Sequence, residues 1–324
     1  MKFKSAIFCD SVSNVEYVYS QAQIKELEEL TDMIPGICTG ADAENGKLAD
    51  AEVLFSTWGF PQVTNELIAK MPKLKAVFYA AGATDAFARQ CFANQVKVIS
   101  AWRMNAIPVA EFCLSEIILS LKGYYRNIRE ARMTRDWDRK VTYVGPGAYG
   151  ETVALIGAGT ISSILQEHLS RMDVKVVVVP SRAERRTVSI EEAFRTAFVI
   201  SNHLPNREDN RNTIRREHFE SMRTGAVFIN TGRGAQVDEE AMLDVMEKRP
   251  DLTALVDVTE PEPPAKDSRY YTLPNVLLTT HIAGSFNDEV RRMSDCVIGE
   301  FKRMLAGEPF QHEVKESMLL TSQT

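Results

Sequence analysis

Residues 151–182, ETVALIGAGTISSILQEHLSRMDVKVVVVPSR, constrain the fold more than any other stretch. Val153-Ala154-Leu155-Ile156 is a short apolar run of the kind expected of a strand buried on both faces. Gly157-Ala158-Gly159 follows at once. A helical pattern then runs from Thr160 to Arg171, with Ile161, Ile164, Leu165 and Leu169 on one face, and Val174–Val179 is a second buried-strand run. Strand, glycine turn, helix and strand make one βαβ unit. The first glycine lets the chain turn sharply. The second lets backbone N–H groups approach a pyrophosphate resting on the positive end of the helix. Gly157, Gly159, Thr160 and Ile161 are therefore expected to bind a dinucleotide, with a plain βα turn as the alternative. The third position of the G-x-G-x-x-G pattern is Ser162, a residue small enough for close helix–strand packing.

In such units an acid at the end of the second strand, about 20 residues on, accepts the ribose hydroxyl of NAD. Here that strand ends Val179-Pro180-Ser181-Arg182 without an acid, and Arg185 and Arg186 follow. Arginine suits the 2′-phosphate of NADP. Ser181 and Arg182 thus favour NADP over NAD, against the competing reading of a solvated basic loop.

The 324 residues suffice for two domains with separate cores. A net charge of −6 argues against nucleic acid or an anionic membrane as the main partner. Cys9, Cys38, Cys91, Cys113 and Cys296 are scattered without a C-x-x-C, as expected of reduced core thiols in a cytoplasmic protein. No residue run reads as long and apolar enough to span a membrane, and the chain enters the strand-like Ser5–Cys9 without a signal peptide.

Before the glycine turn, strand-like runs at Ser5–Cys9, Ile37–Thr39, Val53–Ser56, Ala76–Tyr79 and Val96–Ser100 alternate with helical patterns around Val15–Leu30, Asn65–Lys70 and Asp85–Phe92. Such alternation predicts a parallel sheet with helices on both faces, and ligands bind at the carboxyl ends of its strands. Two of those ends are informative. Ser56-Thr57-Trp58-Gly59 places Trp58 where it can line a substrate pocket, and Ala80-Ala81-Gly82-Ala83-Thr84 is a small-residue turn suited to presenting N–H groups to an anion. Pro108 is read as opening a helix over Val109–Leu121, the crossing to the next domain. Residues 124–148 are charged and aromatic, including Arg126, Trp137 and Arg139, the makings of a connector or a subunit interface. After the βαβ unit, strands are expected at Ala197–Ser201, Ala226–Asn230, Leu252–Asp257 and Val276–Thr279, bringing the second sheet to six. Asp238 is a plausible N-cap for the helix that follows it, and a closing helix is expected over Asp288–Leu305, packed on the first domain.

Three strand ends in the second half carry polar groups that belong together chemically: Arg233 after Asn230-Thr231-Gly232, Glu262 in the loop after Asp257, and His281 after Thr280. Reduction of a carbonyl needs a proton donor for the developing alkoxide, and His281 can supply it. A carboxylate on the far ring nitrogen fixes the tautomer, which suits Glu262. A planar guanidinium grips a carboxylate as a fork, and Arg233 can hold a 2-oxo acid that way. His203-Leu204-Pro205 ends another strand and can line the adenosine side. With no metal-ligand spacing, P-loop or G-x-S-x-G, hydrolase and kinase chemistry lack support.

Gly157-Ala158-Gly159, Asn230-Thr231-Gly232-Arg233-Gly234 with Val237-Asp238-Glu239, Asp257-Val258-x-x-Pro261-Glu262-Pro263, His281-Ile282-Ala283-Gly284 and Pro108-Val109-Ala110-Glu111 together resemble the D-2-hydroxyacid dehydrogenase family over nearly the whole chain. The resemblance implies two doubly wound α/β domains: a Rossmann dinucleotide-binding domain (107–285) inserted in a flavodoxin-like substrate domain (1–106 and 286–324). It implies hydride transfer between NAD(P)H and a 2-oxo acid, with Arg233, Glu262 and His281 as the catalytic set. It places Asp257 and the Thr231 backbone near the nicotinamide amide and gives the substrate carboxylate to the backbone of Ala81, Gly82 and Ala83. It also implies a homodimer joined through the cofactor domains. Pro180-Ser181-Arg182 resembles NADP-preferring members such as the glyoxylate/hydroxypyruvate reductases. Trp58-Gly59-Phe60 departs from the usual family sequence, which leaves the substrate open. The alternatives are a dinucleotide-sensing protein like the C-terminal-binding-protein corepressors and a formate- or phosphite-oxidising dehydrogenase.

Overall fold

The computed structural model describes residues 2–138, 140 and 142–319. Arg139 of the charged segment lies outside the described residues. The chain divides into two compact units, Met1–Ala106 with Ser285–Thr324, and Ile107–Gly284.

The first unit holds the strands β1 (Lys4–Phe8), β2 (Asp32–Cys38), β3 (Val53–Ser56), β4 (Ala76–Tyr79) and β5 (Lys97–Ser100) in the order β2-β1-β3-β4-β5, all parallel. Side-chain alternation along these strands feeds two separate cores, one on each sheet face. Phe8, Leu54, Val77, Tyr79 and Val98 point into one, and Ile7, Val53, Phe55, Phe78 and Ile99 into the other. That is why the runs read as continuously apolar. In the second core the closing helix Arg291–Leu305 sets Phe301 edge-on against Phe55 and Phe78, with ring centroids 5.2 and 5.4 Å apart. The single helix expected over Val15–Leu30 is two, Val12–Val18 and Gln21–Leu30. The break falls where Tyr19 is buried with its hydroxyl on Ser56 O (3.0 Å) and Ser20 forms a capping box with Gln23.

The unit boundary falls within the helix Trp102–Leu121. Pro108 therefore lies inside this helix, where its ring removes one intrahelical donor, and does not open it as expected. By length and composition this helix could cross a membrane, against the sequence expectation. Ala106, Ala110, Cys113, Ile117 and Leu121 are buried along it at helical spacing, the pattern of a core helix.

The second unit holds β6 (Thr152–Ile156), β7 (Lys175–Val179), β8 (Val199–Asn202), β9 (Val227–Asn230), β10 (Thr253–Val256) and β11 (Val276–Leu278) in one parallel sheet ordered β11-β10-β9-β8-β6-β7. The chain runs outward from β6 to β7 and then returns to β8 on the other side of β6. The sheet therefore has its topological switch between β6 and β8, the place where such sheets bind ligands. β7 is an edge strand and only partly buried, whereas β8 and β9 are buried throughout. Phe194, Phe219 and Phe228 close the core on one face, with centroids 5.1 to 5.9 Å apart.

Candidate active site of the second unit

The strand ends of the second unit bring most of the expected residues to one edge of the sheet. At the end of β6, Gly157 has φ +114° and donates its N–H to Val179 O (2.7 Å). A Cβ there would lie 2.2 Å from His203 O, so only glycine lets the turn pass β8. Gly159 is different. Nothing lies within 4 Å of where its Cβ would be, so the space over the turn is left open. Gly159 caps the helix Thr160–Leu169 without a side-chain hydrogen bond, and the first turn carries no acid. The first turn, with Thr160 and Ile161, thus starts beside open space and without a side-chain cap. Ser162 is fully buried and donates its Oγ to Gly157 O (2.6 Å). The departure from the third glycine therefore adds a bond to the turn.

At the end of β7, Arg186 donates to Pro180 O (2.8 Å) and Ser181 O (2.7 Å) and fixes the turn that carries Ser181 and Arg182. Arg182 pairs loosely with Asp209 (4.0 Å). Asp209 is itself held by one edge of the Arg207 guanidinium, Nε and Nη2, at 2.6 and 2.5 Å.

At the end of β8, Asn202 donates to Asn230 Oδ1 (2.9 Å) and Gln236 Oε1 (2.7 Å). Gln236 in turn donates to Leu204 O (2.8 Å) and Pro205 O (3.1 Å). This amide network ties the β8 and β9 ends together. His203 turns its imidazole inward, bonded to Ser201 Oγ at 2.9 Å, and burial pushes its pKa down to about 3. It is neutral there, and only its backbone borders the glycine turn.

After β9, Thr231 is buried with its Oγ1 3.1 Å from Cys113 Sγ, and Arg233 donates Nη1 to Gly232 O (2.8 Å). Burial lowers the Arg233 pKa from its usual value, while Glu262 acts the other way. A Cβ on Gly234 would lie 2.1 Å from the Thr259 carbonyl carbon, so the β9 and β10 loops touch backbone to backbone. Asp238 caps the next helix as expected, accepting from Ala241 N (3.1 Å).

Asp257, at the end of β10, is buried and accepts from Thr279 Oγ1 (2.6 Å), Ile282 N (2.8 Å) and Ala283 N (3.0 Å). Its carboxylate therefore anchors the loop that carries His281. In that loop His281 has φ +57°, an uncommon conformation for a side-chain-bearing residue, and its Nδ1 lies 2.6 Å from Glu262 Oε1. Both side chains are nearly half exposed (45% and 42%). With Nδ1 engaged by a carboxylate, Nε2 is the ring atom left for a substrate.

Sequence reasoning missed three neighbours. Cys113 was read only as a core thiol, and Glu116 only as part of the Val109–Leu121 helix. Burial, and then Asp257, push the Glu116 carboxyl up to about 8, and its Oε2 has no hydrogen-bond partner among the described residues. A carboxyl on an otherwise apolar face was the available signal. Arg207 gave none, because its contacts depend on the fold.

The first unit holds the other expected residues. Trp58 follows β3, where the order β2-β1-β3 makes that sheet's own switch point, and its carbonyl accepts from Asn14 Nδ2 (2.9 Å). After β4, the Ser100 hydroxyl lies 2.8 Å from both Ala81 O and Gly82 O. In trans peptides the N–H groups of Gly82 and Ala83 then point away from Ser100.

Residues 116–283 match the family model described as D-isomer specific 2-hydroxyacid dehydrogenase, NAD binding domain. The chain is 29% identical over 301 residues to D-3-phosphoglycerate dehydrogenase of Methanocaldococcus jannaschii, covering 88% of this chain and 56% of that protein. It thus spans little more than half the length of that relative. It is 29% identical over 258 residues to (S)-sulfolactate dehydrogenase of Chromohalobacter salexigens, covering 75% of this chain and 82% of that one. Among solved structures, D-mandelate dehydrogenase of Rhodotorula graminis superposes with a TM-score of 0.75 at 18% identity, covering 98% of each chain, a likeness of fold.

Proposed function

The chain belongs to the D-isomer specific 2-hydroxyacid dehydrogenase family, and from that premise we propose that it interconverts a 2-oxo acid and a D-2-hydroxy acid with NAD(P) as cofactor. The observation that carries the reading is the 2.6 Å pair of Glu262 with His281 on the sheet edge that also bears the glycine turn. The open space over Gly159 and the uncapped helix behind it leave room for a pyrophosphate. The nicotinamide, when bound, supplies or accepts the hydride. His281 Nε2 gives its proton to the carbonyl oxygen in reduction and takes it back in oxidation. Glu262 holds the ring so that Nε2 stays the reacting nitrogen. Arg233, its charge kept from bulk water, grips the substrate carboxylate or polarises its carbonyl. In the first unit, the N–H groups of Gly82 and Ala83 are proposed to take a carboxylate, and Trp58 to limit the side chain accepted. Ser181 and Arg182, in place of an acid, support NADP over NAD.

The test is NADPH and NADH oxidation against a panel from glyoxylate and hydroxypyruvate to branched and aromatic 2-oxo acids. Turnover is expected, and its rank order reads what the Trp58 loop accepts. Cofactor binding without turnover of any member would refute the dehydrogenase reading and favour a dinucleotide sensor. Oxidation of formate or phosphite would identify the narrower rival.

A further inference from the structure

Arg207 is 8% exposed, an uncommon setting for a guanidinium. Its fork is divided. Nε and Nη2 are taken by the two oxygens of Asp209, while Nη1, with two N–H donors, lies 3.5 Å from Ser181 Oγ. The loop that carries it is fixed from several directions. Asn210 Nδ2 donates to Pro205 O (2.8 Å), Asn210 N donates to Arg207 O (2.9 Å), and Gln236 holds the carbonyls of Leu204 and Pro205. Arg207 is therefore held in place from the end of β8, pointing across the end of β6 to the Ser181 turn of β7. Because β7 is the outer strand of the sheet, that turn opens at the sheet edge. Ser181, Arg182, Arg207 and Asp209 together carry one positive charge in excess, since two arginines face one carboxylate.

We propose that Arg207 helps to select the cofactor: its Nη1 joins Ser181 and Arg182 in taking the 2′-phosphate of NADP, while Asp209 holds the opposite edge of the fork. This rests on the dinucleotide reading above and adds a residue from a second strand end to it. A phosphate monoester needs several donors arranged around its three oxygens, and a preorganised guanidinium provides them at little entropic cost. A ribose with a free hydroxyl makes no such demand, so Arg207 matters for one cofactor and not for the other.

The experiment is titration of the intact chain with NADPH and with NADH, following nicotinamide fluorescence in the absence of substrate, for the wild type and Arg207→Gln. Wild type is expected to bind NADPH more tightly. In Arg207→Gln the Kd for NADPH should rise about tenfold to a hundredfold, the range for loss of a charged hydrogen bond, with the Kd for NADH within about twofold. Retained NADH binding reports that the variant is folded. If the variant does not fold, Arg207→Lys, which keeps the charge and loses the fork, is read the same way, with a severalfold loss for NADPH alone. Wild-type preference for NADPH with no change in either variant would leave the NADP reading standing and refute the role of Arg207. Wild-type preference for NADH would refute both.

Discussion

Replacing Glu116 by Gln should make the protein's stability less sensitive to rising pH. Burial, and secondly the Asp257 charge, raise this carboxyl from 4.5 to about 8 in the folded chain. Between those values the folded state keeps a proton that the unfolded chain releases. Stability is therefore greatest below the unfolded value, falls as pH rises, and levels off above the folded one. At about 1.4 kcal/mol per pH unit, the loss between pH 6 and pH 8 is on the order of 2 kcal/mol. Gln keeps the size and polarity of the neutral acid and has no proton to lose. In a domain the size of the second unit each kcal/mol moves Tm by about 2–4 °C, so the advantage of Glu116→Gln over wild type should widen by about 4–8 °C from pH 6 to pH 8. Thermal unfolding of both proteins at the two pH values, without cofactor and at equal ionic strength, measures it. An advantage of the same size at both would mean that Glu116 does not hold its proton in the fold, and would refute the reasoning.

His281→Ala should lower kcat by about 10²–10⁴ while cofactor affinity stays unchanged, and a loss under about tenfold would argue against the acid–base role. Trp58→Ala should change KM or kcat for the best 2-oxo acid of the panel, and unchanged values would remove Trp58 from the pocket. Trp137 (95% exposed), Tyr149 (90%) and Met133 (76%) are large apolar side chains left uncovered on the second unit. Sedimentation of the intact chain should accordingly give twice the monomer mass, and a monomer at micromolar concentration would count against a dimer through this unit.

The βαβ unit could be read from the chain because each part is local. Val153–Ile156 and Val176–Val179 are apolar without interruption, and Gly157 must be glycine since any Cβ would strike His203 O. Four strands of the first sheet were legible for the same reason, their two faces both being core, whereas β2 (Asp32–Cys38) is partly exposed and begins well before the expected Ile37. Helix boundaries were less so. The first helix ends at Tyr19 and Ser20 starts the next through a capping box with Gln23, a signal that the apolar periodicity runs straight through. Pro108 reads as a helix start, yet the helix begins at Trp102. Nor does periodicity order the strands. It gives six for the second sheet and cannot say that β7 is its edge, a matter of which strands find one another in space.

The site divides along the same line. Arg233, Glu262 and His281 were legible because each ends a strand, and parallel strands bring their ends to one edge whatever their order. Asp257 was legible as a site residue but not in its role. Its carboxylate accepts from Thr279, Ile282 and Ala283, so it acts first on the backbone that holds His281 in a left-handed conformation. Glu116 explains itself only beside that arrangement. Two carboxyls share a buried neighbourhood, and three donors converge on one of them. The other has an oxygen with no partner among the described residues. A negative charge on the second would meet repulsion with no hydrogen bond to offset it, so the proton belongs on Glu116. Neither the sequence distance between the two residues nor the type of either reveals this. It follows from the fold, which buries much of Glu116 on the helix Trp102–Leu121 and brings it within electrostatic reach of Asp257 at the end of β10.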